Sequence, residues 1–181
     1  MDAILNTFSQ DNDLAQVVMV VSDRQAEALE KAKRQGLKTY QHPFPPRTRD
    51  PGGFKRRAFE REATKRLLEE RIDLICLAGF MRIFSAEFSE QWRGRLLNIH
   101  PSLLPDFKGL NPQKQALDAG AKEAGCSVHF VDEGVDTGRI ILQRRVPVFD
   151  SDDEQSLAER ILHEEHLAYP EAIKRVLLGQ G

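Results

Sequence analysis

Cysteine is scarce in this chain: two among 181 residues, Cys76 and Cys126, with no Cys-x-x-Cys spacing. That excludes a disulfide framework and a zinc knuckle, and it fits a reducing, cytoplasmic setting. No apolar run approaches the length needed to cross a bilayer, and nothing resembles a secretory signal. A net charge of -2, from 26 Lys and Arg against 28 Asp and Glu, supplies no general attraction to nucleic acid or an anionic membrane. Internal repeats and low-complexity tracts are also missing. With 40% hydrophobic and 30% charged residues, the chain is of a length for one domain with a substantial core, residues 1–181.

Hydrophobic patterning alternates between strand and helix. Gln16–Val21 reads as a short strand, and Ser22 and Asp23 as the cap of a helix reaching about Gln35, where Gly36 ends it. Leu37–His42 is the next expected strand, followed by a loop from Pro43 to Gly53 that carries Arg47 and Arg49, and a helix from Phe54 to Glu70. Leu74–Phe80 is apolar on both faces, as expected inside a parallel sheet. Ser85 caps a helix toward Trp92, and Leu96–Ile99 forms a strand. Asn111, Pro112 and Gly120 bracket another helix. Ser127–Asp132 and Ile140–Val148 pair as a hairpin-like unit. Ser151 with Glu154 predicts a capping box for a helix toward Leu178 that Pro170 should interrupt. The pattern is that of an α/β fold with a mostly parallel central sheet and flanking helices.

The chemistry concentrates in Leu96–Pro105, where Pro101 and Pro105 halt a strand just after it has delivered Asn98 and His100. Alternation along a strand puts both side chains on one face. An amide and an imidazole two residues apart suit a carbonyl that becomes an oxyanion, with Asn98 hydrogen-bonding the oxygen and protonated His100 protonating it. The plainer alternative is that Asn98 ends the strand and His100 caps it. Asp136 sits in a tight loop, Glu133–Gly138, after the Ser127–Asp132 strand. Set against His100 it would raise the imidazole pKa and fix its tautomer; otherwise it forms an Asx-turn within its own loop. Cys76 and Cys126 lie in apolar runs and read as buried small hydrophobes, not nucleophiles. His163 and His166, near Glu164 and Glu165, lack a third well-placed ligand, so no metal site is expected.

Several separated stretches resemble phosphoribosylglycinamide formyltransferases, the folate-dependent transformylases of purine synthesis. These are Asn98–Pro105, Phe107–Leu110, Ser127–Val131 and Val135–Gly138, extended by Ala78–Ile83 and Glu165–Pro170. The resemblance covers nearly the whole chain, most weakly from Tyr40 to Gly53. It implies a Rossmann-like formyltransferase fold and an enzyme that moves a formyl group from 10-formyltetrahydrofolate to the amine of glycinamide ribonucleotide. It also implies direct transfer, with Asn98 and His100 holding the formyl oxygen, His100 as proton donor, and Asp136 raising its pKa and anchoring a water. By the same resemblance Met81, Arg82, Ile83 and Phe84 meet the pterin alongside Asn98, with Leu77, Leu96, Val131 and the Glu133–Gly138 loop as walls. Arg56, or Arg57 beside it, pairs with the folate's glutamate tail; Glu165 contacts the ribonucleotide; Ser127 and His129 support the site. No metal, nucleic acid or membrane partner is implied, and the protein would be a monomer or homodimer.

The resemblance fails at the amino terminus. Relatives open with an apolar strand and a Gly-x-Gly-Ser-Asn loop that grips the substrate phosphate. Here Met1–Leu5 resembles the helix after that loop, and no Gly-rich phosphate loop occurs upstream of Gly36. The true start is therefore expected upstream of Met1. Loss of the central first strand would expose two interior sheet edges. Three alternatives stand beside a transformylase. A catalytically idle folate-binding protein would follow from the missing loop. Formyltetrahydrofolate deformylase shares the Asn, His and Asp trio, and methionyl-tRNA formyltransferase has a similar loop, but both resemble chains with additional domains.

Overall fold

The computed structural model describes residues 1–9, 12–42, 50 and 53–181. A short helix α1 (Asp2–Thr7) precedes strand β1 (Met19–Ser22), helix α2 (Glu27–Arg34) and strand β2 (Lys38–Gln41). Helix α3 (Phe54–Glu69), strand β3 (Ile75–Leu77), helix α4 (Ala86–Gln91) and strand β4 (Leu96–His100) follow. The chain ends with helix α5 (Pro112–Asp118), strands β5 (Glu123–Phe130) and β6 (Ile140–Pro147), and helix α6 (Glu154–Leu177). The expected α/β order is present. β1 pairs parallel with β2, and β3 parallel with β4. Antiparallel pairing enters with β5 and β6, the expected hairpin, giving the order β3-β4-β5-β6. Among the described residues no helix is long and apolar enough to cross a membrane.

β1 and β2 form a sheet of their own, separate from the four-stranded one. A cavity of about 700 Å³, lined by residues of both β1 and β3 together with Leu5, Phe8 and Leu67, lies against these two edges. Arg82, beyond β3, reaches back to Asp23 at the end of β1, with Nε 3.2 Å from Oδ2.

The main core forms where α6 covers the four-stranded sheet. Leu97, Cys126 and Val128 from the sheet and Leu157, Ala168 and Ala172 from the helix are all fully buried, at 0% exposure. Burying each large aliphatic side chain stabilises the fold by roughly 1.5–3 kcal/mol. Tyr169 is inserted from α6 with its hydroxyl 2.8 Å from the Leu77 carbonyl oxygen and 3.0 Å from that of Leu97, stitching β3 to β4 where β3 ends. Phe59, Phe80, Phe84 and Phe88 stack in a row that Trp92 ends with a tilted contact, with Phe84 and Phe88 4.3 Å apart, and Phe88 and Trp92 pack on Leu96 of β4.

Local departures from the sequence expectations have local causes. α2 begins at Glu27 because Ser22 is taken into β1, its hydroxyl donating to the Arg24 carbonyl. β3 covers three residues of the Leu74–Phe80 run, and Gly79 then takes a φ of 66°, which turns the chain out of extended geometry. The cap of α6 is Asp153 in place of Ser151: its carboxylate accepts the Ser156 N–H at 2.8 Å while Ser156 Oγ accepts the Asp153 N–H at 3.1 Å. α6 also runs unbroken through Pro170, which is buried beside Ala168 and Tyr169, so packing offsets the missing N–H. Arg47 and Arg49 of the expected basic loop lie outside the described residues.

Candidate active site

β4 runs one residue further than its apolar pattern, so His100 is its last member and Pro101 closes it. The antiparallel register with β5 sets Asn98 opposite His129 and His100 opposite Ser127. His100 is buried, with 6% exposure, and both ring nitrogens meet acceptors. Nε2 lies 3.0 Å from the Phe107 carbonyl oxygen, and Nδ1 lies 3.4 Å from Asp136 Oδ2. That carboxylate oxygen also accepts the Gly109 N–H at 2.9 Å. Its other oxygen, Oδ1, faces the buried His129 ring, whose Nε2 is 3.6 Å away and whose Nδ1 is 2.7 Å from the Phe130 carbonyl. One carboxylate thus sits between two imidazoles, each tied to a backbone carbonyl on its far side.

Asp136 is available for this because another residue holds its loop. Asp132 Oδ1 accepts the Gly134 N–H at 3.0 Å and the Thr137 hydroxyl at 2.7 Å, which is the Asx-turn that the alternative reading assigned to Asp136. Gly138 lets the loop close onto β5, since a Cβ there would stand 1.8 Å from the Phe130 carbonyl oxygen. Burial pushes the Asp136 carboxyl up, but the His129 imidazole, the Gly109 N–H and the charge of His100 outweigh it and hold the group below the ordinary carboxylate range. Asn98 is half-buried, and its side chain makes no hydrogen bond with the described residues. The arrangement can polarise a carbonyl with an amide, deliver a proton from an imidazole, and balance the resulting charge with a fixed carboxylate.

The family profile described as formyl transferase matches residues 1–173. The chain belongs to the formyl transferase family. Among relatives, it is 47% identical over 92% of its length to a trifunctional purine biosynthetic protein adenosine-3 from Drosophila pseudoobscura pseudoobscura, of which it covers 12%. It is 42% identical over 88% of its length to the phosphoribosylglycinamide formyltransferase of Escherichia coli, covering 73% of that protein. A phosphoribosylglycinamide formyltransferase structure from Anaplasma phagocytophilum superposes with a TM-score of 0.87 at 38% identity, over 98% of this chain and 80% of that one. This member of the family spans between 9% and 17% of the length of the trifunctional proteins it matches.

The remaining site expectations for this chain divide in two. Asn98, His100, Asp136, Ser127 and His129 come together, with Ser127 fully buried and acting on the loop after β4: its Oγ accepts the Leu104 N–H and donates to the Ser102 carbonyl. Met81 and Ile83 are exposed, while Phe84 is one of the stacked rings. Arg82 is paired with Asp23. Arg56 folds back over Gly53, its Nε 4.0 Å from buried Glu60, and makes no hydrogen bond or ion pair with the trio. Glu165 also stands apart on α6, its carboxyl pushed up to about 7 by burial, against the opposing charge of the N-terminal amino group. Of Leu77, Leu96 and Val131, Leu96 is fully buried against Phe88 and Trp92.

The 700 Å³ cavity is lined by none of Asn98, His100 or Asp136, so it is separate from this chemistry. Among the described residues no group of three or more His, Cys, Asp or Glu is arranged to hold a metal ion. Burial pushes the thiols of Cys76 and Cys126 up to about 12, which leaves neither as a nucleophile near neutral pH. Sequence reasoning gave no individual site role to Phe107, Gly109, Asp23, Glu60 or Tyr169. Phe107 and Gly109 act through backbone atoms, for which residue type carries no signal. Glu60 was hidden in a charged helix, yet its carboxylate accepts both the N–H and the hydroxyl of Ser85 at 2.6 Å and so anchors the segment that carries Met81–Phe84.

Proposed function

We propose that this chain works in the cytoplasm and transfers a formyl group from 10-formyltetrahydrofolate to the primary amine of glycinamide ribonucleotide, a reading supported by relatives named as purine biosynthetic proteins and phosphoribosylglycinamide formyltransferases. The observation that carries the reading is the burial of Asp136 between His100 and His129, on the sheet where Asn98, whose amide bonds none of the described residues, pairs with His129. The substrate amine attacks the formyl carbon, and the carbonyl electrons move onto oxygen. Asn98 donates to that oxygen and His100 supplies a proton. The bond from carbon to the folate nitrogen then breaks, the amine's surplus proton passes to the leaving nitrogen through a water held by Asp136, and the oxygen returns its proton to His100 as the carbonyl of the formamide re-forms. The exposed Met81 and Ile83, with the backbone between them, suit the pterin, Arg56 or Arg57 the glutamate tail, and Glu165 the ribonucleotide. No metal enters these steps.

The test is purified chain with 10-formyltetrahydrofolate, with and without the ribonucleotide, followed by release of tetrahydrofolate. Ribonucleotide-dependent release that His100→Ala abolishes, with folate binding retained, supports the proposal. Release without the ribonucleotide identifies a hydrolase, and folate binding without turnover identifies an idle protein; either result rejects it.

A further inference from the structure

The turn between β4 and α5 holds both members of the His100–Asp136 pair by its backbone. Its Phe107 carbonyl faces His100 Nε2, and its Gly109 N–H binds Asp136 Oδ2. A carbonyl oxygen only accepts, so the Phe107 contact is a hydrogen bond when Nε2 carries the proton. This turn is an unusual conformation. Phe107 and Asn111 have a φ of 54°, and Asp136 opposite them has 51°, values that residues other than glycine seldom adopt. Such geometry persists where surroundings over-determine it. Besides the contacts to His100 and Asp136, the surroundings include Gln115, from the first turn of α5, which donates both hydrogens of its amide, to the Lys108 carbonyl at 3.0 Å and the Leu110 carbonyl at 2.9 Å. Those two carbonyls belong to the residues on either side of Gly109, and Lys108 follows Phe107 directly. At the other end Ser102 Oγ donates to the Asp106 carbonyl at 2.6 Å.

We propose that Gln115 is a positioning residue for the His100–Asp136 pair: it pins the Phe107–Leu110 turn, which commits the Nε2 proton of His100 to the backbone and leaves Nδ1 as the nitrogen that works on substrate. The groups facing His100 agree with this division of labour. Nδ1 looks toward Asp136, with His129 beyond the same carboxylate, and the Nδ1 contact at 3.4 Å is looser than the Nε2 contact at 3.0 Å. With the Nε2 proton committed to a carbonyl that only accepts, Nδ1 is the nitrogen from which the ring can release a proton to substrate. Without Gln115 the turn would relax, the Phe107 carbonyl would withdraw, and either nitrogen of the neutral ring could carry the proton. Asp136 would lose the Gly109 N–H in the same movement.

The catalytic half of this inference rests on the formyl-transfer reading; the tautomer half does not. Histidine ¹⁵N NMR of the ligand-free protein, with the His100 signals identified by their loss in His100→Gln, reports which ring nitrogen carries the proton of the neutral form. The expected wild-type result is Nε2–H. Gln115→Met, similar in length but without donors, should give a mixture of tautomers and a kcat about tenfold lower with little change in KM. Gln115→Lys, whose ammonium can reach both carbonyls, should restore the Nε2–H form and most of kcat. A wild-type ring protonated at Nδ1, or a Gln115→Met spectrum identical to wild type, overturns the inference. Wild-type protein that shows the Nε2–H form but no turnover rejects the formyl-transfer reading and leaves the positioning role standing.

Discussion

Replacing Glu165 by Gln should stabilise the protein at alkaline pH and leave it unchanged at acid pH. Burial moves the Glu165 carboxyl from its ordinary 4.5 up to about 7, so the folded state holds its proton over a range in which the unfolded chain has released it. The sign follows directly. Relative to alkaline conditions, protonated Glu165 adds stability that is complete below the unfolded value, and it is lost as pH rises through about 7. Full linkage over that interval is worth roughly 3 kcal/mol, and the side chain's partial contact with solvent lowers the expectation to about 2 kcal/mol. Glutamine mimics the neutral acid and cannot ionise. Ligand-free thermal unfolding at pH 4 and at pH 8.5 reads the effect: closely matching midpoints at pH 4, and at pH 8.5 a variant midpoint higher by about 4–8 °C for a domain of this size. Taking the difference between the two proteins cancels other titrating groups. Parallel curves at all pH values would show that the carboxyl is not desolvated and would refute the reasoning.

Other perturbations test the site and its supports. Asp136→Asn keeps an acceptor for the Gly109 N–H but removes the charge between the imidazoles, so kcat should fall about 100-fold in the formyl-transfer assay. Because the Asp136 carboxyl is held low, the stability it contributes is present above the ordinary carboxylate range and lost as pH falls through its lowered value; the variant's deficit in urea unfolding should therefore shrink on acidification. Gly138→Ala places a Cβ 1.8 Å from the Phe130 carbonyl oxygen, so the Asp136 loop must shift, and activity should drop on the order of 100-fold. Tyr169→Phe deletes the hydroxyl bonded to Leu77 and Leu97 and should cost about 1–2 kcal/mol in chemical unfolding.

The sequence by itself determined the α/β order, the strand that ends in His100, the Gly-rich loop carrying Asp136, and the pairing of β5 with β6. Each follows from periodicity, proline and glycine placement, or residue type, all of which are local. Tertiary structure alone decided the rest, because the deciding contacts join residues far apart in the chain. Whether Asp136 closed its own turn or reached His100 depended on Asp132 taking over the turn. The hold on His100 by Phe107 and on Asp136 by Gly109 runs through backbone atoms that every residue possesses. The persistence of α6 through Pro170 came from burial against the sheet, which propensity does not contain. Arg82 and Glu165 show the same limit: their partners and their desolvation are set by Asp23 and by packing, and side-chain type specifies neither.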